Sequence, residues 1–310
     1  MILIADSGAT KTHWYFCHEP GDMVMVQTEG INAATMGRDK IHEIVLSAAS
    51  KAASDVVNGV EAIYFYGAGI VSSEASSVIR AELCLAFPSA SLMEFHSDMT
   101  GAATALFGNG RGVAAIMGTG SNSCLYENGK IIRNIRPGGF ILGDEGSGAA
   151  LGREFLSDYF KELVPAELAA EFDEEFHVTY PEAVANIYKG DAPSRYLASF
   201  AKFIVSHKSH EYVAGLIERN LRNFIERALS RYGCTEAGVV GSLGYALQDE
   251  LSTLGREYGL NFVKFLSSPI HALAAWHTSR PTEQNTTISS RPSEQNTPMS
   301  SRPSEARGEI

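Results

Sequence analysis

Short apolar runs and helical apolar spacing alternate along the first third of the chain. Three runs joined by glycine-containing turns predict an antiparallel meander of strands. Farther on, Ile41, Ile44, Val45 and Ala48 recur at the spacing of one helix face. The predicted strands are 2–5, 11–17, 23–28, 62–66 and 92–95, and the predicted helices are 38–54, 73–87 and 99–107. This order differs from the strict strand–helix alternation of a dinucleotide-binding sheet.

The pattern then begins again. Strand 112–117 is followed by a hairpin over 121–132, with Glu127-Asn128-Gly129 at its turn. Helical segments are predicted over much of 146–232. The remaining predictions are strand 237–240, helix 243–257, strand 262–265 and helix 269–277, which has a proline near its first turn. Two halves that both open with strands and close with strand–helix units indicate a duplicated architecture, with lobes at 1–111 and 112–277.

The composition changes at the C-terminal end, over 278–310. A Ser-Arg-Pro segment repeats there, and Arg280, Arg291 and Arg302 follow one another at equal spacing. Large apolar residues are almost absent, so little burial would offset the entropy lost on ordering. We predict a disordered, passive tail, and a partner-binding segment is the alternative.

Bulk composition narrows the classes of function. The chain is 45% hydrophobic, which suits a folded core, and its formal net charge of −11 disfavours nucleic acid or an anionic membrane as a partner. The four cysteines are scattered and form no CxxC pair, as expected in a reducing compartment. The sequence shows neither a secretory signal nor a long apolar span, so a cytoplasmic location is expected.

Three glycine-containing turns follow strands. In segment 6–12, Asp6 ends a strand and can hold hydrated Mg²⁺, while Thr10 adds a hydroxyl near backbone N–H groups. Segment 118–122 takes the equivalent place in the second half, so the two turns together would clamp a polyphosphate. Segment 241–244 would let a flat adenosine lie against backbone. Each turn alone can also be interpreted as a plain tight turn; the pair of turns at corresponding places carries the hypothesis.

Candidate acids lie elsewhere. Asp98 begins a helix after a strand, where it either caps the helix or acts as a general base toward a hydroxyl that attacks the γ-phosphate of ATP. Asp144 and Glu145 are bracketed by five glycines within 138–148, and such glycines permit close approach of the backbone to a ligand. Asp144 could accept hydrogen bonds from sugar hydroxyls, while Glu145 faces elsewhere or caps the next helix.

With these residues in hand, 1–277 resembles the N-acetylglucosamine kinase branch of the BadF/BadG/BcrA/BcrD ATPase family, in the ASKHA superfamily of acetate and sugar kinases, Hsp70 and actin. The resemblance adds Gly30-Ile31-Asn32 and Ser97-Asp98 to the turns and to the Gly143-Asp144-Glu145-Gly146-Ser147 segment. It implies an α/β, two-lobed actin-like ATPase fold, a duplicated ribonuclease H-like unit with mixed five-stranded sheets.

The resemblance also implies an ATP-dependent amino-sugar kinase with Asp98 as catalytic base, Asp6 holding Mg²⁺ through water, and a homodimer as one option. The residues implied to bind ATP are Asp6, Gly8, Thr10, Lys11, Gly118, Thr119, Gly120, Ser121, Gly241, Ser242 and Gly244. Those implied to bind the sugar are Asn32, Gly67, Asp98, Gly139 and Asp144.

The chain departs from the family pattern at Gly138, which stands where the N-acetylglucosamine kinases carry a tryptophan. A missing side chain there would leave room for a bulkier C3 substituent, such as the lactyl ether of N-acetylmuramic acid. Two other functions remain open: an ATPase activator of a radical dehydratase, which would need cysteines for an iron–sulfur cluster, and a non-enzymatic sugar sensor.

Overall fold

The computed structural model describes residues 1–8, 10–19, 22–70 and 73–279. Ala9 of the first predicted turn lies outside the described residues, and so does the predicted tail from Arg280 onward.

The first lobe is built on a mixed five-stranded sheet, as predicted. Its strand order is β3-β2-β1-β4-β5, with β1, β2 and β3 antiparallel to one another and β4 and β5 parallel to β1. The strands are β1 (Ile2–Ser7), β2 (Lys11–Glu19), β3 (Asp22–Glu29), β4 (Ala62–Gly67) and β5 (Leu92–Ser97). Both faces of β1 are buried, because Leu3 and Ala5 pack into one core and Ile4 packs into another.

Four helices accompany this sheet: α1 (Arg38–Lys51), α2 (Ser54–Asn58), α3 (Ser73–Ala86) and α4 (Asp98–Phe107). The predicted helix 38–54 was too long by a few residues, since Ala52 and Ala53 adopt extended backbone between α1 and α2. The bend lets Val56 and Val57 of α2 pack against the same core as Ile41 and Ile44 of α1.

The second lobe repeats the first. Its sheet has the order β10-β9-β6-β7-β8, again with one antiparallel meander and two parallel strands. The strands are β6 (Arg111–Met117), β7 (Ser121–Glu127), β8 (Lys130–Ile135), β9 (Glu236–Val240) and β10 (Asn261–Leu266). The predicted hairpin turn is confirmed, and Asn128 and Gly129 both take positive φ, at 49° and 81°.

A helical insertion lies between β8 and β9. Its helices are α5 (Gly139–Leu142), α6 (Gly148–Tyr159), α7 (Ala166–Phe176), α8 (Tyr180–Tyr188), α9 (Pro193–Ala198), α10 (Ala201–Ser206) and α11 (Glu211–Arg227), followed by a 3₁₀ helix (Leu229–Tyr232). Helices α12 (Ser242–Ala246), α13 (Gln248–Glu257) and α14 (Ile270–Thr278) complete the lobe. Helix α11 buries Val213, Leu216, Leu221 and Phe224 on one face, so the insertion extends the core of the second sheet.

Two helices join the lobes. Helix α4 leaves the first sheet but packs Met99, Ala102 and Leu106 into a core with strands of the second sheet. Helix α14 comes from the second half and packs Leu273 and Ala274 on the first sheet. The exchange places the N-terminus of α4, and with it Asp98, at the junction of the two lobes.

Candidate active site

A cleft of about 830 Å³ lies between the two lobes. It gathers residues that are far apart in the sequence, including most of the predicted site residues. Those that line it are Asp6, Gly8, Thr10, Lys11, Asn32, Asp98, Gly118, Thr119, Gly120, Ser121, Asp144, Gly241 and Ser242. A cleft with convergent polar groups at a domain junction is the usual form of a small-molecule site.

The first turn is tied to the start of the neighbouring loop. The hydroxyl of Ser7 contacts the hydroxyl of Thr12 at 2.7 Å and donates to the carbonyl of Ile31 at 3.1 Å, while the N–H of Ile31 donates back to Ser7 at 2.9 Å. These buried bonds fix the position of Asn32, the next residue along the chain.

The second turn is tied to the segment that carries Asp144. The N–H groups of Gly148 and Ala149 donate to the carbonyls of Gly118 and Thr119 at 2.8 and 3.0 Å. The hydroxyl of Ser121 donates to the carbonyl of Glu145 at 2.7 Å. Turn and acidic segment therefore form one rigid unit.

The two turns face each other across the cleft. The hydroxyl oxygens of Thr10 and Thr119 are 3.1 Å apart, although 109 residues separate them in the sequence. Both side chains line the cleft. The structure thus brings the paired turns together as a two-sided arrangement of hydroxyl and backbone donors, a geometry that suits a phosphate chain.

Asp98 is the first residue of α4. The helix is capped by Ser97, whose hydroxyl accepts from the N–H of Thr100 at 3.1 Å, so the cap does not depend on Asp98. The Asp98 carboxylate accepts one bond from the N–H of Met99 at 2.8 Å. Burial raises the pKa of Asp98 against the lowering effect of that bond. A raised pKa suits a general base.

Asp6 is the second acid at the cleft floor. Burial and the nearby charge of Asp98 raise the pKa of Asp6 to about 7, and Lys11 opposes them. The carboxylate thus has too little positive charge around it in the protein alone. This environment fits a hydrated Mg²⁺, which commonly takes one or two carboxylates and the phosphates of a nucleotide. Within the described ranges, no group of three His, Cys, Asp or Glu side chains could hold a metal ion alone.

Asp144 stands on a strained backbone with φ of 55°. Its N–H donates to the carbonyl of Pro137 at 2.9 Å, and its own carbonyl accepts from Ser147 at 3.1 Å. Only 8% of the residue is exposed. Burial raises its pKa to about 6, a backbone hydrogen bond from Gly139 opposes the rise, and Glu145 adds to it. Glu145 itself turns away to pair with Arg227 at 2.9 Å, and Ser147 caps α6.

The position of Asn32 depends on Gly69. Asn32 forms an isolated bridge with Ala68, and its side-chain oxygen accepts from the N–H of Ala34 at 3.0 Å. Gly69 adopts φ of 78°, and a Cβ there would lie 2.3 Å from the Asn32 side-chain oxygen. The loop can approach β4 this closely only because residue 69 has no side chain.

Gly241 permits a similarly close approach in the second lobe. Its φ is 124°, and a Cβ would lie 2.2 Å from the carbonyl oxygen of Met117 at the end of β6. The turn therefore presents bare backbone to the cleft beside Ser242.

Three residues assigned to the site by the resemblance do not line the cleft: Gly67, Gly139 and Gly244. Gly67 is buried at the end of β4, and Gly244 packs α12 onto Val239 and Met117. Gly139 is exposed but reaches the site indirectly, through its backbone bond to Asp144.

Several residues of the cleft have no local sequence signal. His13 on β2 lies opposite Asp6 on β1, and both side chains line the cleft. The pairing register of the two strands is needed to predict this position. Asn122, by contrast, lies within the predicted segment 118–122, and its side-chain oxygen accepts from Ser123 N–H and from Asn134 at 2.8 and 2.9 Å. Asn134 on β8 lines the cleft too, and only the pairing of β7 with β8 brings it there.

A protein from Porphyromonas gingivalis, provisionally named an N-acetylglucosamine kinase, has a closely similar structure. The two chains are 36% identical, the TM-score is 0.85, and the match covers 90% of this chain and 99% of the other. This chain belongs to that sugar kinase family.

Other solved structures share the fold of this kinase. A protein of Chromobacterium violaceum, also provisionally named an N-acetylglucosamine kinase, matches at 20% identity and a TM-score of 0.67, covering 90% of this chain and 99% of its own. The glucokinase of Balamuthia mandrillaris matches at 11% identity and a TM-score of 0.54, covering 90% and 93%. The kinase therefore has the two-lobed actin-like ATPase fold. No family model and no curated protein matches the sequence.

Among the helices that the structure describes, none is long and apolar enough to cross a membrane.

Proposed function

We propose that this kinase transfers the γ-phosphoryl group of ATP to an N-acetylated amino sugar, N-acetylglucosamine or N-acetylmuramic acid, at the C6 hydroxyl. The observation that carries the proposal is the pair of opposed turns, which meet at Thr10 and Thr119, in the same cleft as the half-buried carboxylate of Asp98. The family relation to the Porphyromonas gingivalis protein supports the sugar class.

The nucleotide would lie along the two turns. Thr10, Thr119 and the backbone N–H groups beside Gly8, Gly118 and Gly120 would hold the phosphates, and Gly241 with Ser242 would face the adenosine. Asp6 would hold Mg²⁺ through water. When bound, the metal neutralises charge that develops on the transferring phosphoryl group.

Asp98 would act on the sugar. Its carboxylate would accept the proton of the attacking hydroxyl, and its raised pKa brings the base closer to working pH. Asn32 and Asp144 would hold other hydroxyls of the same sugar from opposite lobes, because both line the cleft. With both partners fixed, much of the catalytic effect would come from positioning.

Lobe closure over the sugar would exclude water and so limit wasteful hydrolysis of ATP. The division into lobes at 1–111 and 112–277, the cytoplasmic location and a homodimer belong to the same proposal.

The proposed activity can be tested by coupled ADP release with Mg²⁺–ATP. The sugars are N-acetylglucosamine, N-acetylmuramic acid, N-acetylmannosamine and glucose. We expect ADP release that depends on an N-acetylated sugar. ADP release without any dependence on sugar would favour an ATPase activator, and the absence of release would favour a sensor.

A further inference from the structure

A second, smaller cavity opens beside the cleft. It has a volume of about 190 Å³, and it shares Ser121, Asn122 and Pro137 with the cleft. We call it the side pocket. Pockets for whole small molecules usually exceed about 300 Å³. The side pocket therefore suits one substituent of a molecule that is bound in the cleft.

The wall of the side pocket is positively charged. Arg136, Arg227 and Arg231 line it, and Glu145 is the acid that lines it with them. Glu145 is already paired with Arg227 at 2.9 Å. The side chains of Arg136 and Arg231 have no ion-pair partner among the described residues. Two unpaired guanidinium groups on one cavity are notable in a chain of net charge −11.

The side-chain amide of Asn122 lies where the side pocket meets the cleft. The Asn122 side-chain oxygen is occupied by the N–H of Ser123 and by Asn134, at 2.8 and 2.9 Å. Those two bonds fix which end of the amide is the oxygen. The NH₂ group of Asn122 is therefore left to donate to a ligand, since no partner for it exists in the described part of the chain.

The floor of the side pocket is kept open by glycine. Gly138 has φ of 84°, and a Cβ there would lie 3.2 Å from backbone atoms of Leu142 and Gly143. Gly143 is more constrained, because a Cβ would lie within the carbonyl of Pro137. A larger residue at 138 would be strained and would occupy the space that the side pocket provides.

We propose that the side pocket receives a carboxylate borne by the sugar substrate, held by Arg136, Arg231 and the amide of Asn122. This inference rests on the proposed function and narrows its substrate class to N-acetylated amino sugars with an acidic ether substituent. Guanidinium groups match carboxylates in shape and charge, and such charged hydrogen bonds are stronger than neutral ones.

The test separates charge from size. Initial rates with Mg²⁺–ATP give kcat/KM for N-acetylmuramic acid, for its uncharged methyl ester and for N-acetylglucosamine. We expect the wild-type kinase to prefer the acid over its ester by about 10- to 100-fold, the range for losing one or two charge-assisted hydrogen bonds. The double variant R136A/R231A should lose that preference. Variant R256A, an exposed arginine of α13 outside both cavities, should keep it.

Other outcomes overturn the inference. Equal rates on acid and ester, or an unchanged ratio in R136A/R231A, would show that the side pocket does not recognise the carboxylate. If inorganic phosphate stabilised the wild type against heat and not R136A/R231A, while acid and ester reacted equally, the pocket would serve a free anion instead. Activity on N-acetylglucosamine with no preference for the acid would refute the inference alone, whereas no ADP release with any sugar would refute the proposed function.

Discussion

The two lobes share one scaffold and differ in the chemistry at its equivalent turns. Strand order and strand directions are the same in both sheets. In the first lobe, Asp6 of β1 lies opposite His13 of β2; in the second, Ile116 of β6 lies opposite Asn122 of β7. All four residues line the cleft. The shared fold positions the turns, and the first lobe contributes a half-buried acid and a histidine where the second contributes an apolar residue and an amide.

This difference has an electrostatic consequence. A phosphate chain between the turns would meet uncharged donors at Gly118 and Thr119, and the Asp144 carboxylate lies beside Gly120. On the other side it would meet Asp6, whose negative charge calls for a cation. Under the proposed function, the uncharged donors of one turn and the Asp6 carboxylate of the other would let a single cleft hold an anion and a metal together.

The largest expected effect concerns the acid that the first lobe places at the junction. Asp98→Asn removes the proposed base but keeps an oxygen for the N–H of Met99. Turnover should fall by about 10²–10⁴-fold, the usual contribution of a general base. The control is Glu94→Gln, which removes an exposed acid of β5, the strand that precedes Asp98. Near-normal ADP release by a folded Asp98→Asn enzyme would remove Asp98 from the mechanism.

The next effect compares glycines at matching strand ends. Gly67 is the last residue of β4 in the first lobe, and Gly241 directly follows β9 in the second. A Cβ at 241 would overlap the backbone carbonyl of Met117 with φ of 124°, whereas at 67 it would contact the side chain of Phe65 at 2.6 Å without a positive φ. Gly241→Ala should lower the free energy of unfolding by about 1–3 kcal/mol. Gly67→Ala should cost less in denaturant titrations, and equal losses would contradict this reading of the two turns.

The pH dependence of stability should distinguish Asp6 from Ile116, its counterpart in the second lobe. The pKa of Asp6 rises from 3.8 to about 7 in the folded chain, so the folded chain holds a proton that the unfolded chain has released between those values. The protonated Asp6 therefore contributes to the stability of the folded chain; this contribution is full below pH 4 and is lost as pH rises through about 7. Asp6→Asn should remove the loss, which for a pKa raised this far is a gain of about 4 kcal/mol at pH 8 relative to wild type.

Chemical denaturation of the metal-free protein at pH 4.5, 6 and 8 measures that gain. Ile116→Asn, at the equivalent position, is the matched control and should leave the pH dependence unchanged. If the free energy of unfolding depended on pH in the same way in Asp6→Asn and in the wild type, the raised pKa of Asp6 would not contribute to stability.

The smallest effect tests the symmetry of the two turns. Thr10→Ala and Thr119→Ala should each raise the KM for ATP by about 3- to 10-fold, the range of one hydrogen bond. Because their hydroxyls are 3.1 Å apart, the double variant should lose less than the sum of the two single losses. Strict additivity would show that the two threonines act independently.

Much of the fold could be predicted from the sequence because its signals are local. Apolar runs ending in glycine mark the strands, and the Asn128-Gly129 turn fixes a hairpin register. We predicted that the turns carrying Thr10 and Thr119 face each other because the two halves of the sequence repeat one pattern of strands and helices. The break of the first helix at Ala52 was missed, since alanine itself favours helix and the bend serves the packing of α2.

Other parts of the site depend on contacts between distant segments. Asn134 enters the cleft through strand pairing, and Gly69 is required only because the Asn32 loop approaches it. The side pocket combines Arg136 with Arg231, which follow β8 and α11 at opposite ends of the helical insertion. The hydrophobic periodicity of a single segment does not predict which distant segments come into contact.

The central claim is phosphoryl transfer to a sugar in the cleft between the lobes, and identification of the product tests it most directly. The kinase is incubated with Mg²⁺–ATP and N-acetylglucosamine or N-acetylmuramic acid, and the products are analysed by mass spectrometry and by phosphorus NMR. The account predicts one sugar phosphate for each ADP, with phosphorus coupled to the C6 methylene protons. ADP with inorganic phosphate and no sugar phosphate would contradict it.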